Sequence, residues 1–145
     1  METTDGREEI QALMLEAEQY KRQMESINRQ MQILETTMEE LRGSLNAISA
    51  LEENKAGTEI LVSVGSASFI RAKLMETDKI LVGVGSALSL EKSIPEARKF
   101  FEDRVRQAGE AQEKMRKAAL ETTDAIQALD DEYRHLISHM QQEKK

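Results

Sequence analysis

Apolar side chains in the first third of the chain recur at alternating intervals of three and four residues. The series is unbroken over twelve positions, which are Ile10, Leu13, Ala17, Tyr20, Met24, Ile27, Met31, Leu34, Met38, Leu41, Leu45 and Ile48. This is the a/d pattern of a coiled coil, in which helices pack along a narrow apolar seam. We therefore predict one long helix over residues 5–57. Asp5 and Glu8 would form its N-terminal capping box, and Gly57 would end it.

A second series of the same kind occupies the last third of the chain. Its positions are Phe101, Val105, Ala108, Gln112, Met115, Ala119, Thr122, Ile126, Leu129, Tyr133, Leu136 and Met140. Ser93 and Glu96 form a capping box, and Pro95 lies in the first turn, where a missing N–H costs nothing. This predicts a helix over residues 93–145. Since the two series are nearly equal in length, the simplest arrangement is an antiparallel coiled coil within one chain.

The two series also suggest how the helices align. We predict a register in which Leu13 faces Met140 and Ile48 faces Val105, since this places a positions opposite d positions. A shift of one heptad satisfies the pattern almost as well.

The segment between the helices, residues 58–92, has a different period and contains an internal repeat. Residues 60–67 read ILVSVGSA and residues 80–87 read ILVGVGSA, so seven of eight positions match at an offset of 20. Each copy is a β-branched run followed by a Gly-Ser turn and a second extended run. This predicts two β-hairpins in tandem, joined at Thr77 and Asp78.

Two hairpins next to a coiled coil have little core of their own. An isolated hairpin is marginally stable in water, and apolar strand edges tend to pair with other chains. We therefore expect the hairpins to be assembly elements of an obligate oligomer.

Composition narrows the classes of function. The 145 residues, about one domain, carry a net charge of −7 with no run of Lys and Arg, which argues against binding to nucleic acid. Apolar runs such as residues 12–15 and 60–62 are too short to cross a membrane, and the acidic N-terminus does not resemble a signal peptide. The absence of cysteine excludes disulfides and thiolate sites and fits a cytoplasmic location.

Candidate catalytic and ligand motifs are weak. His135 and His139 have the spacing of a two-histidine metal pair, but they lie off the seam and are better explained as solvated side chains. Gly83 and Gly85 are followed by a predicted strand and not by a helix, so they are turn glycines and not a nucleotide loop. We expect no enzyme activity, no metal and no cofactor.

The free ends of the predicted helices hold more apolar side chains than two narrow seams require. Leu13, Met14, Leu136, Ile137 and Met140 cluster there. An open groove at this end would suit exposed apolar segments of other proteins, since methionine adapts to many shapes. Frayed helix ends are the alternative.

Residues 64–93, VGSASFIRAKLMETDKILVGVGSALSLEKS, carry the most specific resemblance. Their Gly65-Ser66 turn, the Thr77-Asp78-Lys79 connection, the strand at 82–85 and the ending at Glu91-Lys92 resemble the α-type subunit of prefoldin, a co-chaperone of archaea and eukaryotes. The tandem hairpins discriminate further, because the β-type subunit of that family has a single hairpin.

The resemblance implies a hetero-hexamer of two α-type and four β-type subunits whose hairpins form a β-barrel platform. It assigns these residues to the assembly strands: Ile60, Leu61, Val62, Val64, Phe69, Ile70, Ile80, Leu81, Val82, Val84, Leu88 and Leu90. It further implies a cytoplasmic chaperone that binds unfolded polypeptides without ATP at the coiled-coil tips and transfers them to a group II chaperonin. The implied client-contact residues are Ile10, Leu13, Met14, Leu136, Ile137 and Met140. A structural coiled-coil scaffold or tether, whose hairpins only set the oligomeric state, is the competing hypothesis.

Overall fold

A computed structural model describes residues 2–143 and confirms a mainly α fold with two β-hairpins between two helices. The elements in chain order are α1 (Glu2–Glu53), β1 (Glu59–Gly65), β2 (Ser68–Lys73), β3 (Lys79–Gly85), β4 (Leu88–Ser93) and α2 (Ile94–Glu143). Contacts divide the chain into two units. We call residues 36–109 the hairpin unit, and residues up to 35 together with those from 110 onward the arm unit.

The hairpin unit has an apolar core made by both helices and one hairpin. Ile48 of α1, Val82 of β3, and Ile94 and Ala97 of α2 are all buried in one cluster. Phe100 and Phe101 pack against this cluster with their rings edge to face, 5.4 Å between centroids. The core therefore joins the end of α1, the start of α2 and the second hairpin.

Polar contacts reinforce the same region. The Arg98 guanidinium on α2 lies 2.9 Å from the Glu52 carboxylate on α1 and donates a hydrogen bond to the Ser49 hydroxyl at 3.2 Å. The predicted cap of α2 is present, because the Glu96 N–H donates to Ser93 Oγ at 3.3 Å. Strand β4 passes directly into α2, which fixes the start of that helix against the second hairpin.

Each hairpin is a separate two-stranded antiparallel sheet. Val62 pairs with Ile70 in the first, and Val82 pairs with Leu90 in the second. The pairing register of each hairpin shifts at a β-bulge just before the turn, between Ser63 and Gly65 in the first hairpin and between Gly83 and Gly85 in the second. These bulges are equivalent, as expected from the sequence repeat.

The predicted seam is confirmed at every position. All a/d residues of both series are buried or half-buried. The one strongly buried hydroxyl among them, that of Thr122, donates a hydrogen bond to the Ala118 carbonyl at 2.7 Å. A polar seam residue is thus satisfied by its own helix.

The predicted ends of the first helix were wrong by a few residues. Helix α1 begins at Glu2, so Asp5 lies inside the helix and does not cap it. The helix ends at Glu53, and Gly57 instead belongs to the entry of the first hairpin, where its N–H donates to the Leu74 carbonyl at 2.7 Å. The Asn54 side chain donates to the Ala50 carbonyl at 2.6 Å in the last turn of α1.

For the second helix we predicted residues 93–145, and α2 spans Ile94–Glu143. Lys144 and Lys145 lie outside the described residues, as does Met1.

The predicted register was also wrong, by one heptad. In the arm unit the sulfur of Met140 lies 3.4 Å from where a β-carbon on Gly6 would stand, so Met140 packs beside Gly6 and not beside Leu13. In the hairpin unit Ile48 shares its cluster with Ala97, and Met38 shares one with Ala108. A heptad pattern repeats after seven residues and cannot distinguish these alignments.

Candidate functional site

The arm unit contains an apolar groove between its two helices, which we call the arm groove. Leu13, Met14, Ala17 and Lys21 of α1 and Ile126, Leu129, Asp130 and Tyr133 of α2 line it. Its volume is about 340 Å³. An engineered apolar cavity of about 150 Å³ accommodates benzene, so the arm groove has room for at least one large apolar side chain.

Two large apolar side chains beside the arm groove are exposed to solvent. Met14 is 57% exposed and Leu15 is 64% exposed. A second depression, on α1, is lined by Gln11, Met14, Leu15 and Glu18. Met14 therefore borders both depressions, and its flexible thioether can adjust to whichever apolar group occupies them.

Of the six predicted client-contact residues, Leu13 and Met14 line the arm groove. Ile10, Leu136, Ile137 and Met140 are half-buried and are not among the residues that line it. Contact of these six residues with a client stays a prediction.

Sequence reasoning missed several groove residues. Tyr133 and Ile126 were recognised only as seam positions, and Lys21 and Asp130 at the polar margin were not singled out. Leu15, which lines the second depression, was also missed. Its signal was present, since a large apolar residue directly after Met14 falls outside the a/d seam and is expected to face solvent.

The hairpins present a second apolar surface. Eight of the twelve predicted assembly residues are large side chains exposed to solvent in the chain: Leu61, Val62, Val64, Phe69, Ile70, Leu81, Leu88 and Leu90. Val82 is buried, and Ile60, Ile80 and Val84 are half-buried. Exposed apolar side chains in this number are typical of protein interaction sites.

Nothing in the part of the chain that is described gathers three or more His, Cys, Asp or Glu side chains around a possible metal ion. The His135 and His139 rings lie edge to face, with centroids 5.7 Å apart. Of the helices within residues 2–143, none is both long enough and apolar enough to span a membrane.

One exposed ion pair in the arm unit shifts pKa values. The Arg116 guanidinium, which donates a hydrogen bond to Glu113, holds the pKa of that carboxyl below its ordinary value. The same hydrogen bond raises the pKa of Arg116. Both side chains are exposed, so the pair adds little to stability.

Comparison with known proteins decides the family. The family model described as "Prefoldin subunit" matches residues 20–139, which is most of both helices and both hairpins. The chain belongs to the prefoldin family. As a prefoldin subunit it is a chaperone component that works in a complex with other subunits.

Archaeal α subunits of prefoldin are similar to this chain over most of their length. The prefoldin subunit alpha of Methanothrix thermoacetophila is 35% identical over 103 residues, covering 71% of this chain and 67% of the relative. Prefoldin subunit alpha 1 of Methanocaldococcus jannaschii is 32% identical over 123 residues, covering 82% and 86% respectively.

A solved structure supports the same fold. A chain in the cryo-EM structure of filamentous PFD from Methanocaldococcus jannaschii matches with a TM-score of 0.69 and 29% identity. The match covers 80% of this chain and 96% of that chain. The two helices with hairpins between them are thus the arrangement of a known prefoldin.

Proposed function

We propose that this chain is the α-type subunit of a hetero-hexamer, in which two copies combine with four β-type prefoldin subunits through the hairpins. The tandem hairpins support this assignment, as do the names of the archaeal relatives. The exposed apolar side chains on both hairpins supply the surface that assembly would bury.

We further propose that the arm groove binds apolar segments of unfolded polypeptides and that the complex passes them to a group II chaperonin in the cytoplasm. The observation that carries this proposal is the exposure of Met14 and Leu15 beside an open apolar groove. Burying a large apolar side chain contributes about 1.5–3 kcal/mol, so one groove holds a client weakly. Several arms acting together raise the apparent affinity without any nucleotide.

Paired serine substitutions test the client site. The variant Met14→Ser with Leu15→Ser removes both exposed side chains at the groove. Its matched control is Leu120→Ser with Ile33→Ser, because these side chains are 55% and 65% exposed in the same unit but line neither the arm groove nor the depression beside it.

Hexamers containing each variant are compared in the suppression of aggregation of two unrelated, chemically unfolded enzymes. We expect the groove variant to require about two- to fivefold more complex than wild type, since β-type arms still act, and the control to behave like wild type. Equal effects of the two variants would contradict the assignment of the site.

The same assay separates the chaperone from the competing hypothesis of a structural scaffold or tether. A chaperone suppresses aggregation of both enzymes at near-stoichiometric ratios, with or without ATP. A wild-type complex that suppresses neither would favour the scaffold.

A further inference from the structure

The negative charge of the chain is concentrated around the arm groove. Residues 9–25 of α1 and 122–137 of α2, which extend about one helical turn beyond the groove lining on each side, hold eight Asp and Glu against three Lys and Arg. We call these two stretches the groove segment. Its net charge is −5, whereas that of the whole chain is −7.

The rest of the chain is nearly balanced. Residues 26–35 and 110–121, which continue the two helices toward the hairpins, hold four acidic and four basic side chains. The hairpin unit holds eleven acidic and ten basic residues. The acidic excess is therefore a property of the groove segment and not of the coiled coil as a whole.

The acidic side chains of the groove segment are available to a ligand. All eight are exposed. Within residues 2–143, Asp130 is the only one of the eight that lies within ion-pair distance of a basic side chain, at 3.2 Å from Arg134. Most of the negative charge is thus not neutralised by neighbouring cations of the arm unit.

Acidic and apolar side chains adjoin at the groove. Glu18 lines the second depression together with Met14 and Leu15, and it neighbours both on the helix surface, since residues three and four apart are adjacent there. Lys21 is the one basic residue of the arm-groove lining, and it lies at the end of that lining along α1. An apolar group bound beside Met14 therefore lies next to a carboxylate.

We infer that the arm groove prefers apolar segments flanked by Lys or Arg over apolar segments flanked by Asp or Glu. The inference rests on the client binding proposed above and names the class of client. Apolar side chains of the client fill the groove, while its flanking cations are attracted by the groove segment and acidic flanks are repelled. An extended chain advances about 3.3 Å per residue, so two or three flanking residues lie within the screening length of about 10 Å at 0.1 M salt.

Peptide binding to the assembled hexamer tests this preference by fluorescence anisotropy. Three labelled peptides share one core of Leu and Phe and carry Lys, Gln or Glu on both sides. We expect the Lys-flanked peptide to bind about three- to tenfold more tightly than the Gln-flanked one at 0.1 M salt, and the Glu-flanked peptide to bind most weakly. In 1 M salt, where the screening length is about 3 Å, the three affinities should agree within about twofold. Equal affinities at 0.1 M salt would overturn the inference.

A fourth peptide separates this preference from a general attraction of cations. It keeps the Lys flanks but has Ser in place of the apolar core, so it cannot fill the groove. We expect it to bind at least about tenfold more weakly than the Lys-flanked apolar peptide. Equal binding of these two peptides would overturn the inference. If none of the three apolar peptides binds, the proposed function itself fails.

Charge reversals assign the preference to this chain and not to its partner subunits. Glu18→Lys with Glu132→Lys changes the net charge of the groove segment from −5 to −1. We expect this variant to reduce the preference for Lys flanks over Gln flanks to less than about twofold at 0.1 M salt.

Glu35→Lys with Glu110→Lys is the matched control, because it makes the same charge change in the balanced part of the arm unit. Both positions are exposed, and each is at least about 21 Å along its helix from the groove lining, beyond the screening length. The control should keep the preference of the wild type. A groove variant that keeps it, or a control variant that loses it, would show that the inference is wrong.

Discussion

Ser66 and Ala67 lie at the tip of the first hairpin with φ angles of 48° and 59°, and Ser86 and Ala87 at the tip of the second with φ angles of 48° and 60°. Positive φ at both central residues is the type I′ turn, whose twist matches that of the strands. Non-glycine residues pay about 1 kcal/mol for this conformation. Each turn thus has two non-glycine residues in a backbone conformation that glycine adopts without this cost.

Replacing Ala67 by glycine should therefore stabilise the chain by about 0.5–1 kcal/mol. Urea unfolding of the chain measures the change. Ala72→Gly is the matched control, because Ala72 lies inside β2 and glycine weakens a strand, so this variant should be destabilised. Destabilisation by Ala67→Gly would contradict the turn geometry.

Ile48 is the largest fully buried side chain among the described residues, at 1% exposure. It contacts both the second hairpin and the start of α2 through one cluster. We predict that Ile48→Ala lowers the free energy of unfolding by about 2–5 kcal/mol, since it leaves a cavity. Ile33→Ala, at an exposed position, should change it by less than about 0.5 kcal/mol. Similar losses for both variants would contradict the placement of the core.

At the scale of the elements, periodicity predicted the two helices and the repeat predicted the two hairpins. A seam position such as Ile27 can be read from the sequence, because burial recurs with the period of the helix. The alignment of the helices cannot, because a shift of seven residues leaves the pattern unchanged. The observed alignment places Ile48 of α1 in one cluster with Val82 of β3 and Ala97 of α2, and such contacts between elements of different type leave no period in the sequence.

Disulfide trapping distinguishes the two registers. Ala17 and Leu129 both line the arm groove, whereas in the register one heptad away Ala17 would face Leu136. We predict that the variant with cysteines at positions 17 and 129 forms an intramolecular disulfide readily on mild oxidation. The variant with cysteines at 17 and 136 should form it poorly, as non-reducing gel mobility would show. If the pair at 17 and 136 formed the disulfide more readily than the pair at 17 and 129, the register predicted from sequence would be the correct one.

The different environments of the two hairpins could not be predicted from the sequence either. Seven of eight positions in the repeat are identical, so local propensity assigns both copies the same structure. The two hairpins differ in how they connect to the helices. Strand β4 passes directly into α2, so the second hairpin lies against the core, whereas a short connection separates α1 from β1. The groove residues Tyr133 and Asp130 were missed for a similar reason, because a groove depends on how two helices meet.

At the scale of the whole molecule, exposed apolar side chains indicate a protein that completes its structure by assembly. The hairpins leave side chains such as Leu61, Phe69 and Leu81 in contact with water. With a charged fraction of 32% and aromatics at 3%, the chain has few large side chains for a core of its own, and we expect partner subunits to bury these strands. The α-type relatives and the prefoldin structure agree with such an assembly.

The decisive measurement is native mass spectrometry of the 16.4 kDa chain, alone and mixed with a β-type prefoldin subunit. We expect mixing to produce a hexamer with two copies of this chain and four of the partner. A stable monomer or dimer that does not bind the partner, or a long homopolymer of this chain alone, would show that the proposed assembly is wrong.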